Sequence, residues 1–114
     1  IVVTNTPDVL TDSTADLTWA LLLAVARRVA EGDAYVRSGD WSGWAPTQML
    51  GADVSGKTLG IIGMGTIGQR VAQLASALGM SIIYWNRSHL SAPGQAPSLD
   101  ELLSQADVVS VLWP

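Results

Sequence analysis

Apolar positions follow two rhythms along this chain: a helical one near the N-terminus, and short apolar runs alternating with helical stretches from Lys57 onward. Ile1-Val2-Val3 reads as a short strand that stops at the turn signal Asn5-Thr6-Pro7-Asp8. Leu17, Ala20, Leu21, Ala24 and Val25 then recur at helical spacing, and Ser13 with Asp16 fits a capping box. With Gly32 as the stop, this predicts a helix from about Ser13 to Glu31, followed by a second helical piece from Asp33 to Arg37. The next segment, with Gly39, Trp41, Gly43, Trp44 and Pro46, has no period and reads as a loop. Its tryptophans either fold back on the domain or form a dimer contact.

The remainder reads as βαβαβ. A strand at Thr58 to Ile62 is followed by a helix from Thr66 to Leu78, with Ile67, Val71, Leu74 and Ala75 on one face and Gly79 at its end. A second strand covers Ser81 to Trp85. After a loop with Pro93, Gly94 and Pro97, the capping box Ser98/Glu101 starts a short helix through about Ser104, and Asp107 to Trp113 forms a third strand. Near-continuous apolar strands alternating with helices predict a parallel sheet covered on both faces, joined by right-handed crossovers. The fold class is therefore α/β, one mononucleotide-binding half of a Rossmann-like doubly wound sheet.

The chemistry lies where the first of these strands ends. Gly63, Gly65 and Gly68 spell G-x-G-x-x-G between an apolar strand and a helix. Such a turn aims the unpaired N–H groups of the helix start, with their partial positive charge, at a pyrophosphate. Gly63 allows the tight turn, Gly65 leaves room for phosphate against bare backbone, and Gly68 lets the helix pack on the strand. The motif alone also marks ordinary turns; the strand before it and the helix after it favour nucleotide binding.

The end of the second strand bears on which dinucleotide binds. Where an NAD site places an acid for the ribose 2′-hydroxyl, roughly 20 residues past the glycines, this chain has Asn86, Arg87 and Ser88. A carboxylate there repels a 2′-phosphate; a guanidinium grips it with charge-assisted hydrogen bonds, helped by the Ser88 hydroxyl. This favours NADP(H) over NAD(H), the alternative being that Arg87 is a solvated charge and both cofactors are accepted. His89, the single histidine, belongs to the adenosine end as a surface residue or a support for the 2′-phosphate. No catalytic constellation is expected, since Asp100-Glu101 is explained as helix-start charge.

Composition closes several alternatives. With 48% apolar residues among 114, the chain holds a core, and about two-thirds of its unfolded surface should be buried on folding. Six basic against ten acidic side chains give a net charge of −4 without a basic stripe, which argues against nucleic acid and anionic membrane as partners. The chain has no cysteine, so disulfides and thiolate metal sites are excluded and no metal is expected. Leu17 to Ala26 falls short of the ~20 apolar residues that span a bilayer, and nothing suggests targeting away from the cytoplasm.

Several stretches together carry a family resemblance: Val9-Leu10-Thr11-Asp12-Ser13-Thr14-Ala15-Asp16-Leu17, Arg27-Arg28, Gly39-Asp40-Trp41, Trp44-Ala45-Pro46, Gly56 to Gly63, and Gly65-Thr66-Ile67-Gly68-Gln69. The chain resembles the D-isomer-specific 2-hydroxyacid dehydrogenases, nearest their glyoxylate/hydroxypyruvate reductase branch. The resemblance implies reversible hydride transfer between NAD(P)H and a 2-keto acid. It also implies a fragment about one third the length of a complete enzyme, with the catalytic Arg, Glu and His beyond Pro114 and no turnover by the chain alone. Residues 1–10 would end a substrate-domain segment, 11–114 would form part of the dinucleotide-binding domain, and about 12–50 would be a dimerisation arm, implying a homodimer. Cofactor contacts transfer to Gly65, Thr66 and Ile67 at the pyrophosphate, to Asn86, Arg87 and Ser88 at the adenosine ribose, to Trp113-Pro114 beside it, and to Thr14 near the nicotinamide. Phosphoglycerate, formate and phosphite dehydrogenases, and the dinucleotide-sensing C-terminal-binding-protein corepressors, share this domain and stand as alternatives. In the family fold the Thr58 to Ile62 strand is central; with a fourth strand lacking here, one of its edges is expected to be open and to invite strand exchange.

Overall fold

The computed structural model describes residues 1–7, 9–88, 90 and 92–113. Asp8, His89 and Pro114, to which the sequence reading assigned a turn, a surface or phosphate-side position and a ribose contact, lie outside the described residues. The elements run α1 (Thr11–Ala26), α2 (Val29–Arg37), β1 (Thr58–Ile62), α3 (Thr66–Ala77), β2 (Ser81–Trp85), α4 (Leu99–Gln105) and β3 (Val108–Val111). The strands form one three-stranded parallel sheet in the order β2-β1-β3. β1 and β2 match the expected bounds because a turn signal closes each at both ends.

β1 supplies the centre of the core. Leu59 and Ile61 are fully buried with Val71 and Ala75 of α3 and with Ala15 and Trp19 of α1. Gly60 faces the other way, where an added Cβ would meet Leu102 and Ala106 at 2.8 Å, so α4 lies almost on the strand backbone. The Trp19 indole N–H donates to the Val71 carbonyl at 3.2 Å, tying α1 to α3.

Several expectations are corrected. Ile1 to Val3 is not a strand: the segment is almost wholly exposed, and no strand among the described residues pairs with it to complete a ladder. The long N-terminal helix breaks at Arg28, which takes a left-handed conformation with φ 55°, and Gly32 lies inside α2 rather than ending α1. The returning segment causes the break: Ala52 N–H donates to the Ala26 carbonyl at 2.8 Å, Arg27 pairs with Asp53 at 2.8 Å and Arg28 Nη1 donates to the Leu50 carbonyl at 3.5 Å. The Ser13/Asp16 capping box does not form, because α1 starts earlier and Ser13 Oγ donates to the Leu10 carbonyl; at α4 Ser98 Oγ does accept from Glu101 N–H, at 3.1 Å. Finally, β1 has no open edge. β3 crosses over to pair with β1, so among the described residues the open edge is the outer side of β3, while β2 is lined by residues 92–96 through a parallel bridge of Tyr84 with Gln95.

The periodicity of α1 pointed to the wrong face. Its Leu17, Leu21 and Val25 are exposed while Ala15 and Trp19 are buried; the helix is apolar on most sides, so spacing alone does not select the side that packs. The exposed surface is 7869 Å², against about 6,000 Å² for a compact chain of this mass, so burial falls short of the expected two-thirds. The radius of gyration, 17.5 Å, likewise exceeds the value of about 13 Å for a compact fold of this length.

At the amino ends of the strands, Asp107 accepts from the Thr58 N–H at 2.8 Å and lies 3.5 Å from Lys57 Nζ. The Thr58 N–H, more than Lys57, holds its carboxyl below the usual value of 3.8. A carboxylate with a lowered folded pKa stabilises fully above its unfolded value and ceases to do so as the pH falls through the folded one. Asp107→Asn should therefore lower the thermal midpoint at pH 7, and the gap from the unsubstituted chain should narrow below about pH 4; a gap independent of pH in thermal scans would count against this role.

Candidate dinucleotide-binding site

The carboxyl ends of the parallel strands converge on the glycine turn. Gly63 has φ 102°, and a Cβ there would come within 2.8 Å of the Leu112 carbonyl, so only glycine satisfies both the backbone and its neighbour. A Cβ on Gly68 would collide with the Gly63 carbonyl, the close strand–helix approach expected of that position. At Gly65 the situation is opposite: a Cβ would meet nothing within 4 Å. Gly65 is the N-cap of α3, no side chain caps that helix, and no acid stands in its first turn. Its first N–H groups therefore retain their partial positive charge toward the cleft.

Two adjoining clefts meet at Gly65, Leu112 and Trp113. One, of about 510 Å³, brings Thr14, Gly65, Thr66, Ile67 and Gly68 together with Thr6, Leu10 and Thr11. The other, of about 310 Å³, is lined by Gly63, Gly65, Asn86, Arg87, Ser88, Leu112 and Trp113. The candidate residues so assembled among the described residues include Thr14 from α1, far away in sequence. Among the described residues no carboxylate or imidazole lines either cleft.

Asn86 carries a duty that sequence reasoning missed. Its Oδ1 accepts from the Met64 N–H at 3.1 Å and its Nδ2 donates to the Ser88 carbonyl at 3.4 Å, so the side chain staples the glycine turn to the end of β2. Gly63 N–H donates to the Trp85 carbonyl at 3.0 Å beside it. The contact joins positions 22 residues apart, and only the register of β1 on β2, with Ile62 opposite Trp85, reveals it.

The second missed arrangement is aromatic. Trp85 ends β2 and Trp113 follows β3; their rings stack with centroids 5.6 Å apart and planes at 25°. The Arg87 guanidinium lies 4.6 Å over the Trp113 ring. The chain's other cations, Arg27, Arg28, Arg37, Lys57 and Arg70, each pair with a carboxylate; among the described residues Arg87 alone has no acidic partner.

A parallel sheet with a glycine turn and a bare helix start at its carboxyl edge defines a dinucleotide-binding α/β module. Residues 19–114 match the family model for the D-isomer specific 2-hydroxyacid dehydrogenase, NAD binding domain. The chain belongs to that family. It is 50% identical to a glyoxylate reductase of Aeropyrum pernix, over 100% of this chain and 37% of the relative. A crystal structure of a Thermus thermophilus protein superposes with a TM-score of 0.93 at 57% identity, over 97% of this chain and 36% of that one. An acyclic imino acid reductase solved with NADPH and D-Arg superposes with a TM-score of 0.81 at 35% identity, over 91% of this chain and 34% of that one. The chain thus spans a little over a third of the length of such relatives.

Asn86→Ala would leave the Met64 N–H without its acceptor. The expected loss is about 1 kcal/mol of stability, visible as a lower denaturation midpoint, whereas Ser88→Ala, whose hydroxyl is exposed, should leave the midpoint in place. Equal midpoints for the two variants would remove the staple from the account.

Proposed function

We propose that this chain holds the cofactor of an NAD(P)-dependent reductase that converts 2-keto acids of the glyoxylate/hydroxypyruvate class to D-2-hydroxy acids, with NADP(H) preferred. In this reading the α3 start, through Gly65, Thr66 and Ile67, receives the pyrophosphate; the clear space beside Gly65 fits a phosphate against backbone. Asn86 fixes the turn, while Arg87 and Ser88 receive the adenosine ribose and its 2′-phosphate with Trp113 beside them. Thr14 stands at the nicotinamide end. The bound nicotinamide supplies hydride, and the residues here orient it. With no acid or imidazole among the described lining of either cleft, the chain alone binds cofactor without turnover.

The observation that carries the NADP(H) preference is Arg87 in the second cleft, without an acidic partner among the described residues. The glyoxylate reductase relatives support the substrate class, and the imino acid reductase, a neighbour in fold, was solved with NADPH. Titration of the 114-residue chain with NADPH and NADH, followed by tryptophan fluorescence, should show tighter NADPH binding. Arg87→Asp should remove about 2 kcal/mol of the NADPH affinity, roughly thirtyfold, and Gly65→Ala should weaken both cofactors at an unchanged thermal midpoint. Equal affinities of the unsubstituted chain for the two would overturn the preference.

We infer also that residues 1–10 belong to a substrate-domain segment, that about 12–50 form a dimerisation arm of a homodimer, and that the protein works in the cytoplasm. Trp44 at 82% exposure, with Trp41, Val36 and Leu50, supports an interface, as does the unpaired edge of β3. Among the described residues no helix is long and apolar enough to cross a membrane. Sedimentation should show a dimer that Trp44→Glu weakens; a concentration-independent monomer would argue against the arm.

A further inference from the structure

We propose that Trp113, backed by Trp85, is a positioning residue for the 2′-phosphate, holding Arg87 as a pre-set anion clamp. This rests on the reading of Arg87 given above and adds the device that makes it selective. An arginine on a loop ordinarily spreads over many rotamers, and fixing it on binding reduces the gain from each hydrogen bond it makes. Here the guanidinium lies 4.6 Å over the Trp113 ring, and that ring is itself stacked on Trp85 at 5.6 Å. Two anchored strands thus build the platform: Trp85 is the last residue of β2, and Trp113 lies two residues past the end of β3. The rings meet beyond the end of β1, where Gly63 contributes no side chain.

Lying over an indole rather than beside a carboxylate, the guanidinium spends none of its N–H donors on the contact and keeps them available to an anion. Ion pairing would instead have consumed that edge, as it does at Arg28 with Glu31 and at Arg70 with Asp12. The indole face therefore holds the cation without neutralising it, a property no carboxylate partner has. Ser88 and Gly65 line the same 310 Å³ cleft, so a phosphate on the ribose meets a guanidinium already aligned. NADH, lacking that phosphate, gains nothing from the alignment. Trp113 thus acts on the ratio of the two affinities.

The test uses the 114-residue chain and its Trp113→Leu, Trp113→Phe, Trp85→Leu and Arg87→Asp variants, with dissociation constants for NADPH and NADH from calorimetry. Trp113→Leu should lower the NADPH-over-NADH ratio about fivefold, the worth of a cation–π contact at an exposed site. Trp113→Phe should restore most of the ratio, and Trp85→Leu should lower it by less than Trp113→Leu. In far-ultraviolet circular dichroism the exciton couplet of the stacked indoles should be present in the unsubstituted chain and lost in both leucine variants. An equal loss of both cofactors in Trp113→Leu would make Trp113 a plain wall of the site and overturn the proposal, as would an unchanged ratio or a missing couplet. In those cases a ratio still abolished by Arg87→Asp leaves the Arg87 reading standing. No preference in the unsubstituted chain, or no binding of either cofactor, overturns both. Should Trp113→Leu fail to fold, the ratio in Trp85→Leu decides: a fall supports the platform and an unchanged ratio rejects it.

Discussion

The close approach of backbone to backbone at the end of β1 is the constraint on which the rest depends. Gly63 sits against the Leu112 carbonyl on one side and donates its N–H to the Trp85 carbonyl on the other. Leu112 N–H donates in turn to the Ile62 carbonyl at 2.8 Å. The turn is therefore gripped by the ends of both neighbouring strands, and Gly68 brings α3 down on it from above. A side chain at either glycine forces the strands or the helix apart and with them the cleft walls. The direction of the α3 N-terminus, and so the place where its N–H groups converge, follows from these contacts.

Around that centre the chain divides its apolar residues unevenly. Leu59, Ile61, Val71 and Ala75 close a core that α1 joins through Ala15 and Trp19. The Trp19 indole N–H finds its acceptor in the Val71 carbonyl, so the ring is buried with its polar atom satisfied. Thr14, one residue before buried Ala15, is brought to the cleft by the same docking. The opposite side of α1, the segment through Trp44 and the outer face of β3 stay exposed.

What the sequence made legible was whatever local chemistry decides. β1 and β2 were read to the residue because Lys57 and Gly63, and Gly79 and Asn86, punctuate them; the Ser98 cap was read because one hydroxyl and one N–H three residues apart suffice. What was misread depends on partners distant in sequence. The break at Arg28 comes from residues 50–53 folding back onto the end of α1, and the packed side of α1 is chosen by α3. The glycine turn was legible as a motif, but the Asn86 staple and the Trp85–Trp113 stack were not. Both require strand order: with β3 beside β1, the two indoles flank one strand, whereas a third strand beyond β2 would have carried Trp113 away from Gly63.

Charge completes the argument for where an anion belongs. The chain carries −4 overall, so the surface as a whole repels a dinucleotide and binding must come from local fields. Pairing with carboxylates cancels most of the positive charge elsewhere, at Arg27, Arg28, Arg37, Lys57 and Arg70. Among the described residues two uncompensated positive features remain around one cleft, the acid-free start of α3 and the Arg87 guanidinium. The first is a backbone property that serves any pyrophosphate. The second is a side chain whose neighbour is an indole, which leaves its charge in place. The two are separable: the glycine turn and its strand neighbours fix the first, and the residue stacked on Arg87 fixes the second.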